Sequence, residues 1–125
     1  MGDLKTLFFD SYALFEIVEG NRNYKPYLTK VAIITTKLNL MELHYGLLNK
    51  YGRDIANKYY DLFLVFTIDI DDDIIKKANE FRLSHKNKRL SYTDCIGYTI
   101  AKTRNIKFLT GDQQFNDIDN VEFVK

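Results

Sequence analysis

Residues 89–101 read RLSYTDCIGYTIA, and this stretch decides how the rest of the chain is interpreted. Ser91 is a good helix N-cap, and Asp94 lies three residues later, where the acid of a capping box lies. Apolar and small residues then recur at helical spacing, which predicts a buried helix. Taken alone, Asp94 is explained as a helix-start acid. A chemical role for it depends on which other acids join it.

Strands alternate with helices along the chain. A short apolar run over residues 4–9 predicts a buried strand that ends at Asp10. Because such alternation is typical of α/β domains, we expect one domain over residues 1–125 with a mostly parallel sheet. Further strands are predicted over 31–35, 65–70, 106–109 and 121–124, and further helices directly after Asp10, near Pro26 and over 37–51, 54–63 and 71–85.

Composition excludes several classes of protein. The net charge of +1 does not indicate nucleic-acid binding, although a local acidic site can mask a basic rim. The single cysteine, Cys95, excludes an intramolecular disulfide and a multi-cysteine zinc site, and we interpret it as a core residue. Apolar runs are too short for a signal peptide or membrane span, so we expect a cytoplasmic protein. Residues 1–6 fit the loose N-myristoylation pattern, which we attribute to chance.

Three acids converge by topology. Asp10 and Asp112 each follow a predicted strand, and ligands of open α/β sheets gather outside the carboxyl ends of strands. The Asp94 helix leads directly into the strand before Asp112. Because helix starts in right-handed crossovers lie at the same rim as strand ends, Asp94 is expected beside the other two.

Glu42 is the fourth acid, and it interrupts an apolar helix. It lies within residues 38–47, LNLMELHYGL, where Leu38 and Gly46 at four residues' distance cannot pair with it. An ionised carboxylate is rarely buried without a partner. Glu42 therefore either meets solvent on a narrow polar stripe with Asn49 or joins the other acids.

Four neighbouring carboxylates require a cation, since like charges at close range raise one another's pKa values. Mg²⁺ prefers oxygen ligands and is often held by carboxylates together with substrate phosphate, and Mn²⁺ suits the same donors. Such a site predicts metal-assisted phosphodiester hydrolysis. His44 and His85 are isolated in the sequence, and we interpret them as surface or packing residues.

Four blocks, FFDSYAL (8–14), LMEL (40–43), SYTDCI (91–96) and LTGDQQF (109–115), resemble the acidic blocks of PIN domains, most closely the toxin subunits of VapBC toxin–antitoxin pairs. The resemblance implies a mostly parallel sheet of four to five strands flanked by helices, and Mg²⁺- or Mn²⁺-dependent endoribonuclease activity. It implies metal-site and catalytic roles for Asp10, Glu42, Asp94 and Asp112, with supporting hydroxyls from Ser11 and Thr110.

The resemblance also implies partners: a second copy of the chain in a homodimer, and an antitoxin that inserts a segment into the acidic cleft. An RNA substrate would need cations around that cleft. The acids at 71–73 are instead explained by the dipole of the helix that they open. The candidate RNA-binding cations, which could equally be solvated loop residues, are Arg22, Lys25, Lys86, Lys88 and Arg89.

Two other functions compete with a ribonuclease. A catalytically silent PIN-like module could bind RNA or protein, although such a module has no need to keep four clustered acids. A phospho-acceptor receiver domain also places acids at the carboxyl ends of parallel strands. It would need an acidic pair after the first strand and a lysine after a late strand, and neither Asp10-Ser11 nor residues 110–112 supply them.

Overall fold

A four-stranded parallel sheet forms the centre of the computed structural model, which describes residues 4–125. All three strand pairings are parallel, and Phe8 on the first strand lies opposite Ile34 on one side and Phe108 on the other. The expected parallel sheet is therefore confirmed. The strands are β1 (Lys5–Phe9), β2 (Val31–Ile34), β3 (Lys107–Thr110) and β4 (Val121–Phe123), in the sheet order β2-β1-β3-β4.

Helices cover both faces of the sheet. Successive strand residues point to opposite faces, so Leu7 and Phe9 join one buried cluster while Phe8 joins the other. The α-helices are α1 (Ser11–Val18), α2 (Lys37–Tyr51), α3 (Arg53–Phe63), α4 (Asp72–Ser84) and α5 (Tyr92–Thr103), and shorter 3-10 segments span Arg22–Leu28, Leu64–Phe66 and Gln113–Phe115. Buried residues of α1, α2 and α3 belong to the Leu7 cluster, and those of α4 and α5 belong to the Phe8 cluster.

The predicted strand over residues 65–70 is wrong. The segment begins with the 3-10 turn Leu64–Phe66, leaves Val65 79% exposed, and pairs with the sheet backbone through an isolated bridge between Thr35 and Thr67. Its β-rich composition has another cause. Phe66 packs against the Leu7 cluster and Ile68 against the Phe8 cluster, so the segment supplies apolar side chains to both cores as it crosses the sheet edge.

Helix starts match the sequence predictions closely. The capping box of α5 is present, since the Ser91 amide donates to Asp94 Oδ2 at 2.9 Å and the Asp94 amide donates to Ser91 Oγ at 3.0 Å. Cys95 is buried and unpaired, as interpreted from the sequence. Within residues 4–125, no helix has both the length and the apolar character needed to cross a bilayer. The first three residues of the myristoylation pattern lie outside the described range.

A close approach between α5 and the sheet fixes the position of the helix. A Cβ atom at Gly97 would lie 2.6 Å from the Phe8 ring and 3.1 Å from the Phe108 ring. These rings stack with their centroids 5.7 Å apart and belong to adjacent strands. Glycine at 97 therefore lets α5 pack directly on β1 and β3.

We predict that Gly97→Ala destabilises the fold by about 1–3 kcal/mol, because overpacking of the Phe8 ring outweighs the helix propensity gained by alanine. Urea unfolding followed by circular dichroism measures the change. Gly46→Ala is the matched control, since that Cβ would lie 3.1 Å from a single ring, Phe15, and should cost less. A Gly97→Ala protein as stable as the wild type would contradict this packing argument.

Candidate functional site

Asp10 is buried at the carboxyl end of β1, with 2% of its surface exposed. Its amide donates to the Leu109 carbonyl at 3.2 Å, and its Oδ1 accepts from the Ala13 amide at 2.8 Å as the N-cap of α1. Burial raises the pKa of Asp10 to about 8; hydrogen bonds from Thr110 and Ala13 oppose the shift, and the charges of Asp94 and Asp112 add to it. The carboxyl group therefore lacks a charge partner.

Asp94 reaches the same rim from the first turn of α5. Burial raises its pKa to about 6, hydrogen bonds within the Ser91 capping box lower it, and the charges of Asp112 and Glu42 raise it further. The helix-start role and the site role predicted from the sequence are therefore compatible. One carboxylate does both, because the capping box leaves it close to the other acids.

Glu42 is held by a relay of neutral side chains. Ser11 Oγ donates to Glu42 Oε1 at 2.5 Å, and Asn39 Nδ2 donates to Ser11 Oγ at 3.1 Å. Thr36 Oγ1 in turn donates to Asn39 Oδ1 at 2.7 Å. Glu42 is half-buried, and its carboxylate is bonded to the first residue of α1.

Sequence reasoning missed Asn39 and Thr36 as members of this relay. Both are buried, and Asn39 lies three residues before Glu42 on an otherwise apolar stretch of helix. Residues three apart on a helix are neighbours on its surface. The available signal in the sequence was an asparagine one turn before an acid without a helical partner.

Asp112 follows β3 and caps the next 3-10 segment. Its amide donates to Thr110 Oγ1 and its Oδ1 accepts from the Gln114 amide, both at 3.0 Å. Thr110 is fully buried, and its side chain also lowers the pKa of Asp10, so this hydroxyl lies near two of the acids. At Gly111 a Cβ atom would lie 2.3 Å from both the Tyr12 ring and the Val124 carbonyl, which explains glycine there.

The four carboxylates form one electrostatic group. The charges of Asp94 and Asp112 raise the pKa of Asp10, and the charges of Asp112 and Glu42 raise the pKa of Asp94. Among residues 4–125, no lysine or arginine is a main cause of the pKa shift of Asp10 or Asp94. The donors are oxygens only, which fits a hard cation such as Mg²⁺ or Mn²⁺ that retains part of its water shell. Within residues 4–125, however, no three or more histidine, cysteine, aspartate or glutamate side chains are arranged to hold a metal ion together.

The predicted RNA-binding cations fall into two groups. Lys86, Lys88 and Arg89 lie in the loop before α5, where Lys88 Nζ bonds Asp117 at 2.6 Å and the Gln114 carbonyl at 3.1 Å. The second group, Arg22 and Lys25, is exposed in the 3-10 segment that follows the far end of α1. Because α1 begins directly after Asp10 and has 8 residues, its far end lies about 12 Å along the helix from Asp10.

Neither histidine joins the acids. The His44 ring bonds Asn57 at 2.8 Å and packs edge-on against Tyr60, while His85 packs on Phe81 with ring centroids 4.3 Å apart. Both histidines are therefore surface or packing residues, as interpreted from the sequence.

We predict that Asp10→Asn stabilises the metal-free protein at pH 8 by about 1–3 kcal/mol. A raised carboxyl pKa means that the folded state keeps a proton that the unfolded state releases, so wild-type stability falls as pH rises from about 4 to about 8. Asparagine retains the helix cap without the charge. Urea unfolding in EDTA at pH 5 and pH 8 tests this, and a gain that fails to shrink at pH 5 would contradict it.

The comparisons with known proteins agree with this fold. The sequence model of a family described as PIN domain matches residues 7–121. No curated protein sequence matches the chain. Among solved structures, Mycobacterium tuberculosis VapC20, described as a sarcin-ricin loop cleaving toxin, has a TM-score of 0.79 at 17% identity, with 94% of this chain and 96% of that chain covered.

Two toxin–antitoxin structures are similarly close. A toxin-antitoxin complex from Klebsiella pneumoniae has a TM-score of 0.73 at 21% identity, covering 93% of this chain and 95% of that one. VapBC2 from Rickettsia felis, bound to a promoter DNA fragment, has a TM-score of 0.71 at 20% identity, covering 95% of this chain and 97% of that one. Since the family match spans nearly the whole chain, this protein belongs to the PIN domain family.

Proposed function

We propose that this chain is a metal-dependent endoribonuclease that hydrolyses RNA phosphodiester bonds. One observation carries the proposal: the Asp10 carboxyl group is buried at the carboxyl end of β1, where the charges of Asp94 and Asp112 raise its pKa. Bound protons or a bound cation relieve the repulsion between carboxylates that raise one another's pKa values. Membership of the PIN family and the fold shared with a toxin described as cleaving the sarcin-ricin loop support the nuclease assignment.

The residues that would hold Mg²⁺ or Mn²⁺ are Asp10, Glu42, Asp94 and Asp112. A bound divalent ion supplies Lewis acidity toward the phosphate and activates the attacking water. Thr110 orients Asp10, and Ser11 orients Glu42. Asp10 and Asp94, whose pKa values are about 8 and about 6 in the metal-free site, are the groups that release protons when a cation enters.

We further propose that the chain is the toxin of a type II toxin–antitoxin pair, and that it acts as a homodimer. Several solved structures with this fold are toxin–antitoxin complexes, which supports a protein antitoxin as partner. The acidic rim suits a cationic side chain from such a partner. Leu62, Leu64 and Val65 are exposed together at the end of α3, and an apolar surface of this kind supports association.

We expect the purified protein to cleave a mixed RNA pool with Mg²⁺ or Mn²⁺ and not with EDTA. Asp94→Asn should lower the rate by about 100-fold or more, because it removes a metal ligand while keeping a polar capping group. Gel electrophoresis of end-labelled RNA measures cleavage. Asp73→Asn is the matched control, since that exposed acid on α4 pairs only with Lys77.

Cleavage that survives EDTA and Asp94→Asn would contradict the four-acid site. A folded protein that neither cleaves RNA nor binds Mn²⁺ would favour the silent PIN-like module instead.

We expect the mass in solution to be twice the 14.7 kDa of one chain. Size-exclusion chromatography with multi-angle light scattering measures it. A mass of one chain at micromolar concentrations, with no increase on concentration, would contradict the homodimer.

A further inference from the structure

A basic cleft of about 350 Å³ lies between α4, the loop before α5 and the first residue of α5. In the part of the chain that the structure describes, no carboxylate lines this cleft. Within residues 4–125, Arg82 and Lys86 form no ion pair, so their charges are available to a ligand. The lining residues are Asn79, Arg82, Leu83, Lys86, Lys88, Leu90 and Tyr92.

The Arg82 guanidinium lies over the Tyr92 ring in this cleft. The guanidinium carbon of Arg82 lies 4.1 Å from the centroid of the Tyr92 ring. Arg82 Nε also donates to the Leu90 carbonyl at 3.2 Å, which holds the guanidinium in place. Tyr92 is nevertheless 62% exposed, so the ring presents aromatic surface to solvent.

The loop that completes the cleft is tied to the segment after Asp112. Lys88 Nζ donates to the Gln114 carbonyl, and the Arg89 amide donates to Gln114 Oε1 at 3.0 Å. The backbone N–H of Gln114 in turn donates to Asp112 Oδ1. One connected set of hydrogen bonds therefore positions the cleft wall relative to the acids, and Tyr92 lies two residues before Asp94.

We propose that this cleft is a base-binding subsite for single-stranded RNA, in which an unpaired base stacks on Tyr92 while Arg82 and Lys86 contact the flanking phosphates. Aromatic platforms combined with cations are how proteins bind single strands, and a base within a duplex has no free face to offer. An acidic peptide would use the cations but gain little from the exposed ring. The subsite deepens the proposed ribonuclease function, and it rests on that function for the identity of RNA as substrate.

The test is binding of a 12-nucleotide RNA that carries 2-aminopurine at successive positions, measured in EDTA and low salt so that metal-dependent cleavage does not occur. We expect the 2-aminopurine fluorescence to be quenched at one or two adjacent positions by the wild type and by Tyr92→Phe. Tyr92→Ala and Tyr92→Leu should abolish the quenching and weaken single-strand binding by about 5- to 100-fold. Tyr45→Ala, which removes another exposed tyrosine on α2, is the matched control.

Quenching unchanged in Tyr92→Ala and Tyr92→Leu would overturn the subsite. So would an equal loss of affinity for single-stranded and duplex RNA, or an effect of Tyr92→Ala confined to binding of a poly-glutamate peptide. Thermal unfolding of each variant separates lost binding from lost folding, and Tyr92→Leu keeps side-chain bulk if the alanine variant is unstable.

The two proposals fail separately. Tyrosine-dependent quenching without metal-dependent cleavage would leave the subsite standing and remove the nuclease assignment. Cleavage that is lost in Asp94→Asn, together with quenching that does not change when Tyr92 is replaced, would support the nuclease assignment and overturn the subsite.

Discussion

The structure depends on the balance between carboxylate repulsion and helix-start amides at the carboxyl rim of the sheet. Asp10 caps α1, Asp94 belongs to the capping box of α5, and Asp112 caps the 3-10 segment after β3. Amide donors at helix starts stabilise negative charge. The same side chains therefore satisfy the backbone and create the acidic site. The fold tolerates the cluster because three of its four acids also cap a helical segment.

Neutral groups hold the acids, and this choice preserves the charge of the site. A lysine or arginine paired with Glu42 would fix its position equally well, but it would cancel the charge that a cation needs. Instead, the Ser11 hydroxyl donates a hydrogen bond to the carboxylate. Ser11 is held in turn by the buried side chain of Asn39, and Asn39 by that of Thr36. Thr110 does the same for Asp10. Orientation and charge are thus supplied by different residues.

Local signals predicted most of the fold from the sequence. The capping box at Ser91, the strand ending at Asp10 and the strand before Asp112 are short-range patterns, and each is present. The strand predicted over residues 65–70 is wrong because the apolar composition there reflects packing against two cores. Periodicity within one segment cannot distinguish such packing from strand pairing. The convergence of the acids followed from topology. The relay behind Glu42 did not, because Ser11 and Asn39 come from helices whose packing only the three-dimensional structure gives.

The capping box of α5 has a consequence for how ligand binding is recorded in the backbone. The Asp94 carboxylate accepts a hydrogen bond from the Ser91 amide at 2.9 Å. A ligand that polarises or displaces this carboxylate weakens that bond. The N–H groups of the first turn then exchange with solvent more readily. The chemical shift and exchange rate of the Ser91 amide therefore make this residue a built-in spectroscopic reporter of events at the acidic rim.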